Sequence, residues 1–391
     1  MNAQNIVSPE DQNVTFVELF FDLVFVFAVT QVVGLLHDGI EWLVVGQAIL
    51  VFWLVWWAWT QFTWALNAAD TTHSIVELGT LVATAIAFFM AVALPEAFHG
   101  RALWFAGPYV LVRVIGLALY TWVASANPSQ RAAVQTFAVV SSGGLIAVLI
   151  GGITGGTTLY WLWGLTILLD VIAAAVGGQA EGWNLHPEHF AERHGLFVII
   201  ALGESLIVAA SGVTEALWSS ALIAVAVLAV AITCGLWWSY FPWAKPELDQ
   251  ALETSRGAVQ SMMARDVFSL LHFPMLCGVV AYAVAIEEAV VHPGEPLPFG
   301  GRVALAAGLT LFVGGMAVAM WRARLRLPLP RLILVGVTAI AIVAVSGVAA
   351  PLTLAIALVG IVVIAVWEQR MSSPVSDSVR ALGEPGDVAQ E

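Results

Sequence analysis

The sequence predicts an all-α, polytopic membrane protein of about twelve helices. Three observations carry this expectation. First, 60% of the 391 residues are hydrophobic and only 10% are charged, where an ordinary soluble domain has about 25% charged residues; mean hydropathy is +0.91. Second, the apolar residues fall in long runs of about 20, the length a helix needs to cross the hydrocarbon core. Third, the basic residues between these runs gather on alternate connections. No water-soluble core hides so much apolar surface, so a soluble enzyme and a disordered chain are excluded. The net charge of −13 argues against nucleic acid as a partner. The lipid bilayer is the expected surrounding.

The candidate spans run 15–36, 42–66, 74–95, 101–124, 132–151, 158–177, 191–212, 217–241, 265–290, 302–322, 331–348 and 351–368. The last two touch at Ala349, Ala350 and Pro351, so one kinked element or two helices are both open; proline suits a first helical turn. Residues 1–13 carry Glu10 and Asp11 and no basic residue, unlike the basic start of a cleavable signal, so the first run is expected to be a retained span. With the N-terminus, the even-numbered connections and the C-terminus on one side, that side collects Arg131, Arg193, Lys245, Arg256, Arg265, Arg322, Arg324, Arg326, Arg331, Arg370 and Arg380. Only Arg101 and Arg302 fall opposite, and Arg113 lies within a span. The positive-inside rule then puts both termini in the cytoplasm. The expected divisions are a cytoplasmic segment 1–13, a first six-helix half 14–177, a second half 178–368 and a disordered cytoplasmic tail 369–391.

The halves share a pattern. Phe16-Val-Glu18 and Phe190-Ala-Glu192 each open an apolar run, 174 residues apart. At the same offset Thr30 and Gln31 fall on Glu204 and Ser205. The next run in each half ends in aromatics, Trp56, Trp57 and Trp59 against Trp237, Trp238 and Tyr240. An even number of spans per half makes such a repeat parallel. The tryptophans, 17 in all, read as an interfacial belt or as an aromatic pocket. Cys234 and Cys277 lack metal-ligand spacing and read as small buried hydrophobes.

Ionisable groups inside a bilayer are costly and need a partner or a purpose. Glu18 and Asp22 lie one turn apart on the first span, where two carboxylates could bind a cation or pass a proton; a structural ion pair is the other reading. Arg113 must find an anion, and Asp170 and Asp22 are the candidates. Around Pro187 lies the densest cluster, with Glu188, His189, Glu192, Arg193 and His194. It reads as a pH-responsive gate or a helix start rather than a metal site, since no zinc signature fits. Glu204, beside Gly203 and Ser205, is the lone acid deep in the seventh span and the strongest single candidate for an ion site. Two weaker groups are His73 with Glu77, and Arg265, Asp266 and His272 ahead of Pro274, which is expected to kink the ninth span. No Walker loop, nucleophile elbow, HExxH or CxxC is present, so no enzyme, metal or cofactor is expected.

Two long stretches, Val14 to Ala28 and His189 to Ser205, resemble the signatures of the bacterial low temperature requirement A family. Ala264-Arg265-Asp266 followed by Leu271-His272-Phe-Pro274 resembles a third, shorter element. The likeness runs from about residue 14 to 290. It implies a multi-pass protein of the bacterial inner membrane and places Glu18, Asp22, Glu192, Arg193, His194, Gly203 and Glu204 at the family's most recognisable positions. It implies little about mechanism, because the family's name records a growth phenotype. The leading expectation is a transporter or channel for a small cation or proton, with Glu18, Asp22, Arg113, Asp170, Glu204 and Ser205 as ion-pathway residues. His189, Glu192, Arg193 and His194 would form the gate. The rivals are a membrane sensor or scaffold whose polar network only packs helices, and a lipid-acting membrane enzyme that would need the His/Glu cluster.

Overall fold

The protein is described by a computed structural model covering residues 6–9, 11–36, 41–177, 183, 185–215 and 218–382. The described residues are helical, with no strand longer than an isolated bridge. The first six helices are α1 Phe16–Leu35, α2 Trp42–Ala68, α3 Ser74–Ala93, α4 Ala102–Ala124, α5 Pro128–Thr154 and α6 Gly156–Gly177. The remainder are α7 Pro187–Glu215, α8 Ser220–Ser239, α9 Lys245–Thr254, α10 Gly257–Met263, α11 His272–Val291, α12 Phe299–Arg324, α13 Leu329–Ala344 and α14 Ala350–Leu382.

Helices occupy all twelve expected windows. Ten helical stretches among the described residues are long and apolar enough to cross a membrane. α13 has 16 residues, about 24 Å at 1.5 Å per residue, short of the roughly 30 Å hydrocarbon core. α7 is not among the ten; its first turns carry Glu188, Glu192 and Arg193. α13 and α14 are separate helices, parted by a turn that includes Gly347 at φ 73° and tied down by the Ala350 N–H donating to Glu295 O at 2.8 Å. α14 runs on to Leu382, into the stretch expected to be an unstructured tail; 383–391 lie outside the described residues. Large apolar side chains such as Leu78, Phe89, Val139, Trp161 and Val227 face outward. On an ordinary soluble surface they would be scattered; here they sit on helices of membrane-crossing length, so their surround is lipid.

The first six helices pack in a fixed set of pairs: α1 on α2 and α3, α3 on α4, α4 on α2 and α5, α5 on α6, and α6 on α2. Beyond Pro187, α7 packs on α8 and α11, α11 on α12, α12 on α8 and α13, α13 on α14, and α14 on α8. The two groups meet where α1 and α2 touch α7 and α11. α11 and α12 approach closely at Gly278 and Gly308: a Cβ on Gly278 would lie 2.7 Å from the Gly308 carbonyl oxygen. Small residues permit this contact in lipid, where backbone proximity replaces the hydrophobic effect.

Two π-helical turns interrupt the second group, Tyr240–Ala244 and Ala264–Leu270. The second ends where Leu271 N–H donates to Asp266 O at 3.0 Å. It cannot run on to the Ser269 carbonyl, because residue 274 is proline and carries no hydrogen; the Trp56 indole N–H takes that carbonyl, at 2.7 Å. The irregularity expected at Pro274 lies just before it, and Pro274 itself sits in the first turn of α11.

The two sequence readings of cysteine and tryptophan need correction. Cys234 is exposed rather than buried, on the outer side of α8. Trp56, Trp57, Trp59 and Trp163 lie inside the helix packing rather than at an interface, while Trp161, Trp237 and Trp238 remain outside. The buried indoles of Trp56, Trp59 and Trp163 find polar partners inside, which is what permits their burial.

Candidate functional site

The site forms where α1 meets α7. Thr15 starts α1 and fixes Glu18: its N–H and hydroxyl both donate to Glu18 Oε2, at 3.0 and 2.9 Å, as in a capping box. Glu18 and Asp22, one turn apart, face inward toward Arg193 and His189 of α7, themselves one turn apart. Arg193 donates from Nη1 to Glu18 Oε1 at 3.1 Å and from Nη2 to Asp22 Oδ1. His189 Nε2 lies 3.1 Å from Glu18 Oε1. All four side chains are fully enclosed. The Trp59 indole donates to Asp22 Oδ1 at 2.6 Å, and the Arg193 guanidinium stands 5.7 Å from the Trp59 ring centroid, a cation–π contact.

The hydrogen bonds of His189 are set by its other neighbour. Asn67 Oδ1 accepts the His186 backbone N–H at 2.9 Å, so its amide nitrogen is the atom facing His189 Nδ1 at 3.0 Å. That amide also donates to the His186 carbonyl at 3.0 Å. Nδ1 is therefore an acceptor, and the ring hydrogen sits on Nε2, pointing at Glu18. Two carboxylates thus face one guanidinium and one imidazole. Asp22 Oδ2 is buried with no hydrogen-bond partner among the described residues, as is Arg193 Nε.

A second buried pair lies within the first group of helices. Arg113 of α4 donates to Asp170 of α6 at 3.0 Å, to Tyr109 Oη at 2.6 Å and to Gln61 Oε1, and the Gln61 amide returns a bond to the Arg113 carbonyl at 3.1 Å. Of the two acids considered for Arg113, Asp170 is the partner and Asp22 is not. A third pair joins Arg331 of α13 to Glu368 of α14 at 3.2 Å, with Arg331 also donating to the Ser239 carbonyl at 2.9 Å. Sequence reasoning counted Arg331, at the start of the eleventh span, among the cytoplasmic basic residues and missed this pair. Its signal was available, because Glu368 is the first acid after Glu295.

The remaining candidates divide. His194 is buried, its Nδ1 bonded to Phe190 O at 2.8 Å. Its ring is enclosed by Trp59, Phe268 and His272, with centroids 4.9, 5.4 and 5.4 Å away. His272 in turn accepts from Tyr240 Oη at 2.8 Å. Glu192 points outward and is exposed, so it does not join the cluster. Glu204 is half-buried and makes no hydrogen bond or ion pair with the described residues. It stands away from Asp22, although both were grouped in one ion pathway. Ser205 turns the other way and donates to Leu202 O at 2.7 Å. His73 caps α3 by accepting the Ile75 N–H at 3.3 Å, and Glu77 is exposed. Asp266 bridges Arg265 and Arg322, at 2.6 and 2.8 Å. Among the described residues no three His, Cys, Asp or Glu side chains stand close enough to hold a metal ion.

Residues 13–366 match the family model described as bacterial low temperature requirement A protein. The chain is also 30% identical over 334 residues to an uncharacterized protein of Rhizobium meliloti (strain 1021), covering 79% of this chain and 77% of that protein. No solved structure matches.

Proposed function

This chain belongs to the bacterial low temperature requirement A family, and from that premise we propose that it is an inner-membrane transporter driven by, or carrying, a proton or small monovalent cation. The observation that carries the reading is the charge balance between α1 and α7. Glu18, Asp22 and Arg193 are fully enclosed, and the two carboxylates share a single guanidinium; with the His189 ring neutral, one unit of positive charge is missing. A buried net charge is strongly disfavoured, so the cluster holds one proton or one cation, and the unpartnered Asp22 Oδ2 is where it sits. Because the cluster bridges the two groups of helices, relative movement of the groups would part Arg193 from the acids and release what Asp22 holds.

The rest of the reading is consistent with alternating access. Twelve spans with both termini cytoplasmic agree with the distribution of basic residues. Two parallel six-helix halves agree with the packing pairs: replacing α1–α6 by α7, α8, α11, α12, α13 and α14 turns each contact of the first group into one of the second. The competing reading, a sensor or scaffold, draws on the Arg113–Asp170 and Arg331–Glu368 pairs, which are balanced and hold neighbouring helices together.

The experiment is ion flux into proteoliposomes under H⁺, Na⁺ and K⁺ gradients in turn, for the wild type and Asp22→Asn. Asparagine keeps the shape and supplies the missing charge balance, so the variant is expected to fold with wild-type stability and to lose flux. Absence of wild-type flux under all three gradients, or full flux in Asp22→Asn, would remove the transport reading and leave the scaffold.

A further inference from the structure

We propose that the segment Ile6–Pro9 is a strap that seals the α1–α7 cluster, so that an ion reaches Glu18 and Asp22 only when the strap lifts. What passes rests on the transport reading above; the seal itself does not. The last carbonyls of a helix have no partner within it, and at the end of α2 this segment helps to supply one. Ser8 N–H donates to Ala68 O at 3.0 Å, and Asp70 N–H returns a bond to Ile6 O at 2.8 Å. Val7 and Ala69 thereby form an antiparallel bridge. Further along, Gln12 Nε2 donates to Leu66 O at 3.0 Å. Ile6 is fully buried in the main apolar core and Ser8 is nearly so, so the strap is seated in the fold rather than laid on it. Its four side chains, Ile6, Val7, Ser8 and Pro9, carry no charge, which suits a barrier to ions.

A continuous chain of hydrogen bonds runs from the strap to the cluster. Ser8 Oγ lies 2.5 Å from His186 Nε2. The His186 backbone N–H and carbonyl are both bonded to the Asn67 side chain, whose amide also faces His189 Nδ1. His189 in turn reaches Glu18. The strap therefore ties the end of α2, in the first group of helices, to the residue just before α7, in the second. Its position fits a seal. Glu18 stands in the first turn of α1 and Arg193 in the second turn of α7, so the acids and the guanidinium lie within about 10 Å, along the helix axes, of the end that the strap crosses. Lifting the strap would free His186, and through it Asn67 and His189, at the boundary where the two groups are proposed to part.

Thr63 can report the opening. It is fully buried on α2, four residues from Trp59, which bonds Asp22, and four from Asn67, which bonds His189, so all three share one face. With Cys234 and Cys277 replaced by alanine, the Thr63→Cys chain is alkylated in detergent with a sulfonated, water-soluble maleimide. Ser8→Pro removes both the N–H given to Ala68 and the hydroxyl at His186. It is expected to raise the alkylation rate by about tenfold or more, the scale of one to two net hydrogen bonds. Ser8→Ala, which loses only the His186 contact, should raise it less, and melting temperature checks that both variants fold. The opposite change locks the strap. The bonds flanking Val7 and Ala69 make them a non-hydrogen-bonded pair, with Cα atoms about 4.5 Å apart, within disulfide reach. Val7→Cys with Ala69→Cys, in the same background without Thr63→Cys, is expected to cross-link on oxidation and stop proteoliposome flux, and dithiothreitol should restore it. Alkylation indifferent to both Ser8 variants, or flux that survives complete cross-linking, would overturn the strap. A protein without flux whose thiol opens in Ser8→Pro keeps the strap and loses the transport reading; wild-type flux with indifferent alkylation removes the strap alone.

Discussion

The clusters around Arg193 and Arg113 are built from the same chemistry and differ in two respects. Each has a fully enclosed guanidinium donating to aspartate, an aromatic side chain beside it and one aspartate oxygen left without a partner. Arg113 faces one acid and lies within one group of helices. Arg193 faces two acids and joins the two groups. On the proposed reading, a balanced pair within one group of helices has nothing to exchange, whereas an unbalanced cluster between the groups takes up a charge and releases it when they move. Charge count and location, rather than burial, separate a structural ion pair from a candidate coupling site.

The largest effect that sharpens this comparison is expected at Arg193. Arg193→Leu leaves Glu18 and Asp22 enclosed without a counter-charge, and removing one partner of a buried pair costs about 3–5 kcal/mol. Thermal unfolding in detergent should drop sharply, and adding Asp22→Asn to the same chain should recover part of the loss. A single variant that melts with the wild type would mean that the acids are solvated and that the α1–α7 contact is not as described.

Arg113 comes next. Arg113→Leu strands one carboxylate instead of two, so the loss should be smaller, about 3 kcal/mol at most. Arg113→Leu with Asp170→Leu should return close to wild-type stability, because a balanced pair is replaced by apolar contacts at little net cost. Ion flux in the double variant should persist if the pair is structural. Restored stability with lost flux would move Arg113 into the transport machinery and dissolve the distinction drawn between the clusters.

Membrane class and helix positions were legible because bilayer thickness imposes a length and lipid imposes a composition, and both are local properties of the chain. Arg113 announced itself for the same reason, as a charge in mid-run. Its partner did not, since Asp22 and Asp170 are both acids in apolar runs and only packing decides between them. The inward role of Trp56, Trp57 and Trp59 was hidden too. Tryptophan near a span end has the same sequence appearance whether its N–H reaches water or, as in Trp59, an aspartate on the next helix. Pairing of Glu18 with Arg193 was harder still: it depends on a contact between residues 175 apart, and periodicity within a helix carries no such information.

Glu204 is where depth in the sequence and place in the structure part company, and its variant should give the smallest effect of the three. It sits between Gly203 and Ser205, half-buried, with no bond to the described residues, while Ser205 beside it turns inward to Leu202. A group that holds no partner loses little when neutralised. Glu204→Gln is expected to change stability by less than about 0.5 kcal/mol, the range of substitutions that touch no special feature, and to leave ion flux intact. Melting temperature and proteoliposome flux, measured beside Asp22→Asn, decide it. Loss of flux in Glu204→Gln at unchanged stability would show that the outer face of α7 takes part in conduction, and the coupling site would then extend beyond the α1–α7 boundary.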